Sequence, residues 1–467
     1  MPSPTPPHPP GPGRGLQPRA PTLPGPASAV RRTSYGPTSP EVGARGAHTR
    51  RRIVDASLGL FDELGLHHTS VEAIARAAGV SRATLYQYFP GKDQIFLELM
   101  DECARALVRV ARRIGELGPT EIGFDNLNWW LGEWSWVFDK YRTMFVQWSL
   151  VASADPAVRP EVIHFVEGYN HRMAARLEAA DVSGVDPESA AVAMTAVVHR
   201  LHLFRHTGRV YEADSQELTQ ALSVFLQLVL FPDTPNEVLL PFLSTVTPYT
   251  PVVPPPPECE ALSLRTRVRG LSPRAVATVE RLVVAAAKQF AAKGYHRTNV
   301  DDIVASAGLA RGTFYKYFHE KQDLLHTVCV EATAATVELA GRLRRVDVFD
   351  DAALRPWLRD FVRFLDHYRG SVDVWSERLA EGGVIVALGA HAQGVLDRAL
   401  LEVLTSVRRD YPFDPLAGTL LFRALLTRVP EAMREETEIP MGEEQIVDLL
   451  VFSVRRGFFS HLTAPPI

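Results

Sequence analysis

The chain has 467 residues, 46% of them hydrophobic and 22% charged, which suits a soluble globular protein of about three domains. Its formal net charge is −4, so any surface for nucleic acid or membrane has to be local. The three cysteines, Cys103, Cys259 and Cys329, stand far apart, which excludes a disulfide scaffold and a cysteine zinc site and fits a reducing cytoplasm.

Residues 1–47 hold 13 Pro and 7 Gly with few large apolar side chains, and they read as a disordered tail. Arg14, Arg19, Arg31, Arg32 and Arg45 stand against a single Glu41, so the tail is either a solubilising extension or a basic arm on DNA phosphates. It carries no apolar stretch of the kind a secretory signal needs. Ile53, Ala56, Leu60, Phe61 and Leu64 then recur at the helical period, and Gly65 ends the run. Thr69 and Glu72 have capping-box spacing for the next helix, with Ser70 a rival cap. That helix stops at Gly79, and Ser81 caps a third helix from Arg82. Helix, glycine turn and helix together make a helix-turn-helix.

On the third helix Arg82, Ala83 and Tyr86 share a face that can enter a major groove. Thr84, Gln87, Tyr88 and Lys92 flank it and can bond phosphate oxygens, while Leu85 and Phe89 lie opposite, in the core. Arg50, Arg51 and Arg52 ahead of the first helix either track phosphates or form a solvated surface. Further on, Trp130, Trp134, Val137 and Tyr141 share a helical stripe, and Trp148 follows. This is either core or the aromatic wall of a pocket for an apolar ligand. His199, His202 and His206 lie on roughly one face, but with Arg200 and Arg205 beside them they read as polar lining rather than a metal site. Residues 233–271 form a proline-rich linker; 238–257 are free of charge, yet seven prolines among them rule out a membrane helix and favour an extended spacer.

The second half repeats the first. Residues 52–98 align without a gap on 281–327, with 17 of 47 positions identical at an offset of 229. Downstream, at an offset of 227, Trp130/Trp357, Asp139/Asp366, Tyr141/Tyr368, Arg142/Arg369 and Trp148/Trp375 coincide. Arg311, Gly312 and Tyr315 thus take the base-reading places, and Thr313, Lys316, Tyr317 and Lys321 the phosphate places. Phe361, Tyr368 and Trp375 repeat the aromatic wall. Thr298 or Asn299 caps the second helix of this copy, while Ala310 replaces the cap of the third. Arg265, Arg267 and Arg269 form its preceding basic run. Residues 45–92 carry a charge of +3 and 265–321 carry +7, so two basic heads sit on an otherwise acidic chain.

Both copies follow Arg-x-Thr-[Leu/Phe]-Tyr-x-Tyr-Phe-x-x-Lys, at 82–92 and 311–321. This resembles the TetR family of bacterial transcriptional regulators, and the doubling resembles the double-TetR regulators of actinobacteria. The resemblance implies an all-α fold of two tandem units, each a three-helix helix-turn-helix head followed by a helical ligand-binding and dimerisation domain. The heads would span 48–95 and 272–325 and the bodies 96–232 and 326–467. It implies a repressor on double-stranded operator DNA, released by a small apolar or aromatic effector, in the cytoplasm and away from membranes. No cofactor, metal or enzymatic activity is expected, because no catalytic signature occurs in the chain. Segments 186–204 with 217–231, and 414–429 with 443–459, read as dimerisation helices. They can pair within one chain as a pseudo-dimer on an asymmetric operator, and a further homodimer stays open. The alternatives are one reading head beside a scaffold or sensor unit, or an activator that needs no ligand.

Overall fold

The computed structural model describes residues 44–66, 68–146, 159–207, 215–243, 250–376, 383–407, 414–437 and 439–460, and all regular structure among them is helical. The chain divides into two compact units, Met1–Met100 and Asp101–Ile467. The first contains the head of copy one: α1 (Ala44–Leu64), α2 (Val71–Ala77), α3 (Arg82–Tyr88) and the start of α4 (Lys92–Arg113). Helix α1 begins inside the segment read as tail, because no proline follows Pro40 to break it. Residues 1–43 of the tail lie outside the described residues. Ile53, Phe61, Ile74, Leu85, Phe89 and Phe96 fill this head's core, with Phe61 and Phe96 edge to face at 6.1 Å.

The second unit holds the body of copy one, with α5 (Glu121–Lys140), α6 (Arg159–Ala179), α7 (Pro187–Thr207) and α8 (Ser215–Leu230). Copy two follows: α9 (Leu264–Arg267), α10 (Pro273–Lys293), α11 (Val300–Ala307), α12 (Arg311–Tyr317), α13 (Lys321–Leu343), α14 (Asp351–Ser376), α15 (Val384–Val407), α16 (Pro415–Glu435) and α17 (Glu443–Phe458). The α7 and α16 helices start alike. Each has proline at its first position, and the preceding aspartate accepts from a backbone N–H three residues on: Ser189 to Asp186 at 2.9 Å, Ala417 to Asp414 at 2.9 Å. The shared cap sets an offset of 228 for this helix pair.

The α7 helix packs along α16, and α8 along α17, so the four segments read as dimerisation helices meet in one seam within the chain. Phe458 lies between Phe225 at 4.7 Å and Phe422 at 4.8 Å. A small apolar cavity in the seam is lined by Met194, Val197, Phe225, Leu425 and Phe452.

The head of copy two shares its core with the helices beneath it. Phe290 and Phe318 from the head join Val374, Trp375 and Leu388 from α14 and α15. Gly370 permits the crossing of α14 on α10, since a Cβ there would strike the Phe290 backbone carbonyl. Arg369 adds a hydrogen bond to Ala291 O at 2.9 Å.

The linker is not a free spacer in the part that is described. Residues 250–257 run along α15: the Arg398 guanidinium donates to Pro251 O at 3.2 Å, and His391 Nδ1 lies 2.7 Å from Pro254 O. Proline has a carbonyl but no N–H, so donors from α15 are what such a segment needs. Gly394 admits it, as a Cβ there would come 2.6 Å from Val252 O. Within α15, Val384–Ser406 is long and apolar enough to cross a membrane, but 56% of its most apolar stretch is buried and it packs on α13.

Candidate nucleic-acid interface

Each head builds its recognition helix from the same local devices. Gly79 and Gly308 both take the left-handed conformation, φ 63°, that turns the chain between the second and third helices. Arg52 and Arg281, identical in the repeat, fasten that turn: each donates to the glycine carbonyl, at 3.3 and 3.4 Å, and to the alanine carbonyl before it. Ser81 caps α3 by accepting from Thr84 N at 3.0 Å, whereas Ala310 gives α12 no side-chain cap. For the second helices the caps are Ser70 and Asn299, the latter in a capping box with Asp302. Thr69 and Thr298, the other candidates, are instead buried, and each hydroxyl donates to the carbonyl of Gly65 or Gly294 at 2.8 Å.

The predicted base-reading side chains Arg82, Ala83 and Tyr86 are exposed, as are Arg311, Gly312 and Tyr315. Gln87 and Lys316 are exposed beside them; Thr84, Tyr88, Thr313 and Tyr317 are half-buried. Leu85, Phe89, Phe314 and Phe318 are fully buried on the opposite face. In both heads the arginine is already oriented. Arg82 bridges Glu72 at 2.6 Å and donates to the Tyr86 hydroxyl at 3.3 Å; Arg311 bridges Asp301 at 2.7 Å and donates to the Tyr315 hydroxyl at 3.5 Å. The tyrosine oxygen first, and the carboxylate second, hold each guanidinium further into its charged form. Sequence reading placed Glu72 only in a capping box and passed over Asp301, although the two coincide at the repeat offset.

Lys92 and Lys321 sit differently from phosphate-facing cations. The Lys92 ammonium donates to Leu66 O at 2.8 Å and Thr69 O at 2.9 Å; Lys321 donates to Tyr295 O and Thr298 O, both at 2.8 Å. Burial lowers the Lys321 pKa. Both lysines tie the loop before the second helix to the start of the fourth, because that loop folds back over them.

The basic runs divide in the same way. Arg50 pairs with Glu98, donates to Tyr88 O at 2.9 Å and lies 4.1 Å over the Phe89 ring. Arg51 is exposed beside Asp55 at 2.9 Å. In copy two Arg267 pairs with Asp323, donates to Thr327 at 2.7 Å and lies 4.9 Å over Phe318, while Arg265 and Arg269 are exposed.

The aromatic stripe of copy one is packed. Trp130, Trp134 and Tyr141 are buried, and Trp134 touches Phe138, Phe145 and His202 with centroids 5.7, 5.3 and 5.2 Å away. Trp148 and the His206 side chain lie outside the described residues. In copy two Trp357, Phe361, Phe364 and Tyr368 touch in sequence along α14, while Trp375 sits in the core shared with the head. Cys103 and Cys329 are buried thiols whose pKa burial raises.

The model of the bacterial regulatory proteins of the tetR family matches residues 53–99 and again 282–328. The chain carries the TetR-type DNA-binding domain twice, in tandem. It is 42% identical over 53 residues to the HTH-type transcriptional regulator AcrR of Shigella flexneri, covering 11% of this chain and 25% of that one. It is 23% identical over 169 residues to the Biofilm operon icaADBC HTH-type negative transcriptional regulator IcaR of Staphylococcus epidermidis, covering 36% of this chain and 85% of that one. With AcrR and the Streptomyces griseus A-factor receptor protein, the match spans only about a quarter of the relative's length. Among solved structures, a TetR-family transcriptional regulator from Marinobacter aquaeolei VT8 is 18% identical with a TM-score of 0.36, covering 42% of this chain and 97% of that one.

Proposed function

We propose that this chain is a cytoplasmic transcriptional repressor of the TetR family, whose two unlike heads read one asymmetric operator and which a small apolar or aromatic effector releases. The observation that carries the reading is the matched display in both heads: an exposed arginine and an exposed tyrosine one turn apart, on a helix whose opposite face is core. Residues beside that pair differ, Ala83 against Gly312 and Gln87 against Lys316, which favours unlike half-sites. The seam of α7, α8, α16 and α17 supports pairing of the copies within one chain, as two chains of a one-unit regulator would pair. The name of IcaR as a negative regulator supports repression.

The effector reading rests on the body of copy one. Trp130 Nε1, Trp134 Nε1, the Tyr169 hydroxyl and the Asn170 amide are buried and have no hydrogen-bond partner among the described residues. Burial raises the Tyr169 pKa and the two nearby indoles oppose that rise, yet neither reaches hydrogen-bond geometry. Such groups suit an aromatic molecule that brings an acceptor.

Operator titrations test the reading. Tyr86→Ala and Tyr315→Ala should each cost about 1–3 kcal/mol of specific affinity, and each should relax a different half-site. Full affinity in both variants would refute it. Loss in Tyr86→Ala alone would support the second reading, in which head two is a scaffold, as its uncapped α12 allows.

A further inference from the structure

The seam between the copies is asymmetric in charge. The offset of 228 makes Arg200 and Arg428 equivalents, and likewise Leu203 and Glu431. Both arginines converge on the one carboxylate: Arg200 reaches Glu431 across the seam at 3.1 Å, and Arg428 reaches it from its own helix at 3.3 Å. Burial alone would raise the Glu431 pKa, but Arg428, Arg200 and Arg369 outweigh it and hold the group ionised. Copy one offers no acid in return, since its equivalent position is Leu203.

Two other contacts run one way as well. The Arg423 guanidinium of copy two lies 4.1 Å over the Phe204 ring of copy one. The reciprocal residues are Thr195 and Ala432, which cannot make that contact. Arg456 donates across the seam to Ser183 O at 3.1 Å and Val229 O at 3.4 Å. At the offset of 228 Val229 is the equivalent of Gly457, where a Cβ would come 3.0 Å from the Val229 side chain, so Arg456 beside it stands close to the axis that relates the copies.

We infer that this seam is coded for heterologous pairing, with Glu431 as the determinant that lets copy one join only copy two. A copy-one pair would bury two Arg200 guanidinium groups with no carboxylate, and an uncompensated buried charge is strongly destabilising. A copy-two pair would bring two Arg456 side chains together at the axis. The inference rests on the pairing described under Proposed function, and operator binding does not enter it.

The code can be moved, and that is the test. In the full-length chain, Glu431→Leu should lower the melting temperature by about 5 °C or more. Adding Leu203→Glu to that variant should restore most of the loss, because a carboxylate there faces Arg428 across the seam and Arg200 along its own helix. Leu203→Glu alone should fold and gain a concentration-dependent two-chain species by light scattering. If Glu431→Leu is insoluble, recovery of soluble protein in the double variant is the same result. A Glu431→Leu chain that melts like the parent overturns the code while leaving intrachain pairing standing. So does a double variant no better than Glu431→Leu while Leu203→Glu alone folds. A parent chain that scatters as a symmetric pair of chains, like copies on each other, overturns the pairing itself.

Discussion

Arg267 covers Phe318 with its guanidinium 4.9 Å from the ring, the place that Arg50 takes over Phe89 in the first head. The two rings coincide at the repeat offset, but the two arginines do not: the residue equivalent to Arg50 is Val279. The short α9 helix brings Arg267 in from outside the aligned segment. Arg267→Ala should therefore destabilise the second head by about 1–3 kcal/mol, through the lost ring contact and the stranded Asp323. Denaturant unfolding of the full chain measures it, and Arg265→Ala, an exposed neighbour, should stay near the parent.

The carbonyl cradle around Lys92 changes what its removal should do. Lys92→Met should cost about 1–3 kcal/mol of head stability by leaving the Leu66 and Thr69 carbonyls without their donor. The slope of operator affinity against salt should stay unchanged, where loss of a phosphate contact would reduce it by about 1. Titrations at several salt concentrations, beside a melt, separate the two roles.

The two third helices differ at the cap, and an exchange tests its worth. Ala310→Ser should stabilise the start of α12 by about 1 kcal/mol, and Ser81→Ala should weaken α3 by a similar amount. Amide exchange at Thr313 and Thr84 reads the change directly. Slower exchange at Thr313 without tighter operator binding would place the cap outside recognition.

Acid should loosen the second unit. Burial, then Arg428 and Arg200, lower the His199 pKa to about 3, with His202 adding to the effect and Glu431 opposing it. In the unfolded chain the same group titrates near about 6.5, so the unfolded state takes up a proton that the folded state refuses. Stability is therefore greatest above that value and falls as the pH drops below it, ahead of the carboxylates. Melting temperatures between pH 7 and 5 should decline, and His199→Gln should flatten the decline.

The recognition helices were legible in the sequence because each signal there is local: a glycine where φ must be positive, a serine before the helix, apolar residues four apart. The direction of Lys92 was not, since its partners are carbonyls of a loop more than twenty residues earlier. Thr69 and Ser70 are adjacent and equally good caps on paper, and only burial of the threonine beneath Gly65 decides between them. The proline segment read as a spacer because composition reports stiffness, whereas docking depends on Gly394 and two donors on another helix. The seam was visible as apolar faces, but its register, and with it the meeting of Arg200 and Glu431, needed the shared aspartate cap to be seen in three dimensions.

A single acid shared by two basic partners also gives the duplication a direction in time. Two fresh copies of one gene are interchangeable, and either could survive the loss of the other. Once position 203 holds leucine, the first half can no longer stand as a self-sufficient dimer. Fission of the gene would strand it unless a carboxylate returned. The fusion thus behaves as a ratchet, which frees the two heads to drift toward different DNA sequences while inheritance keeps them together.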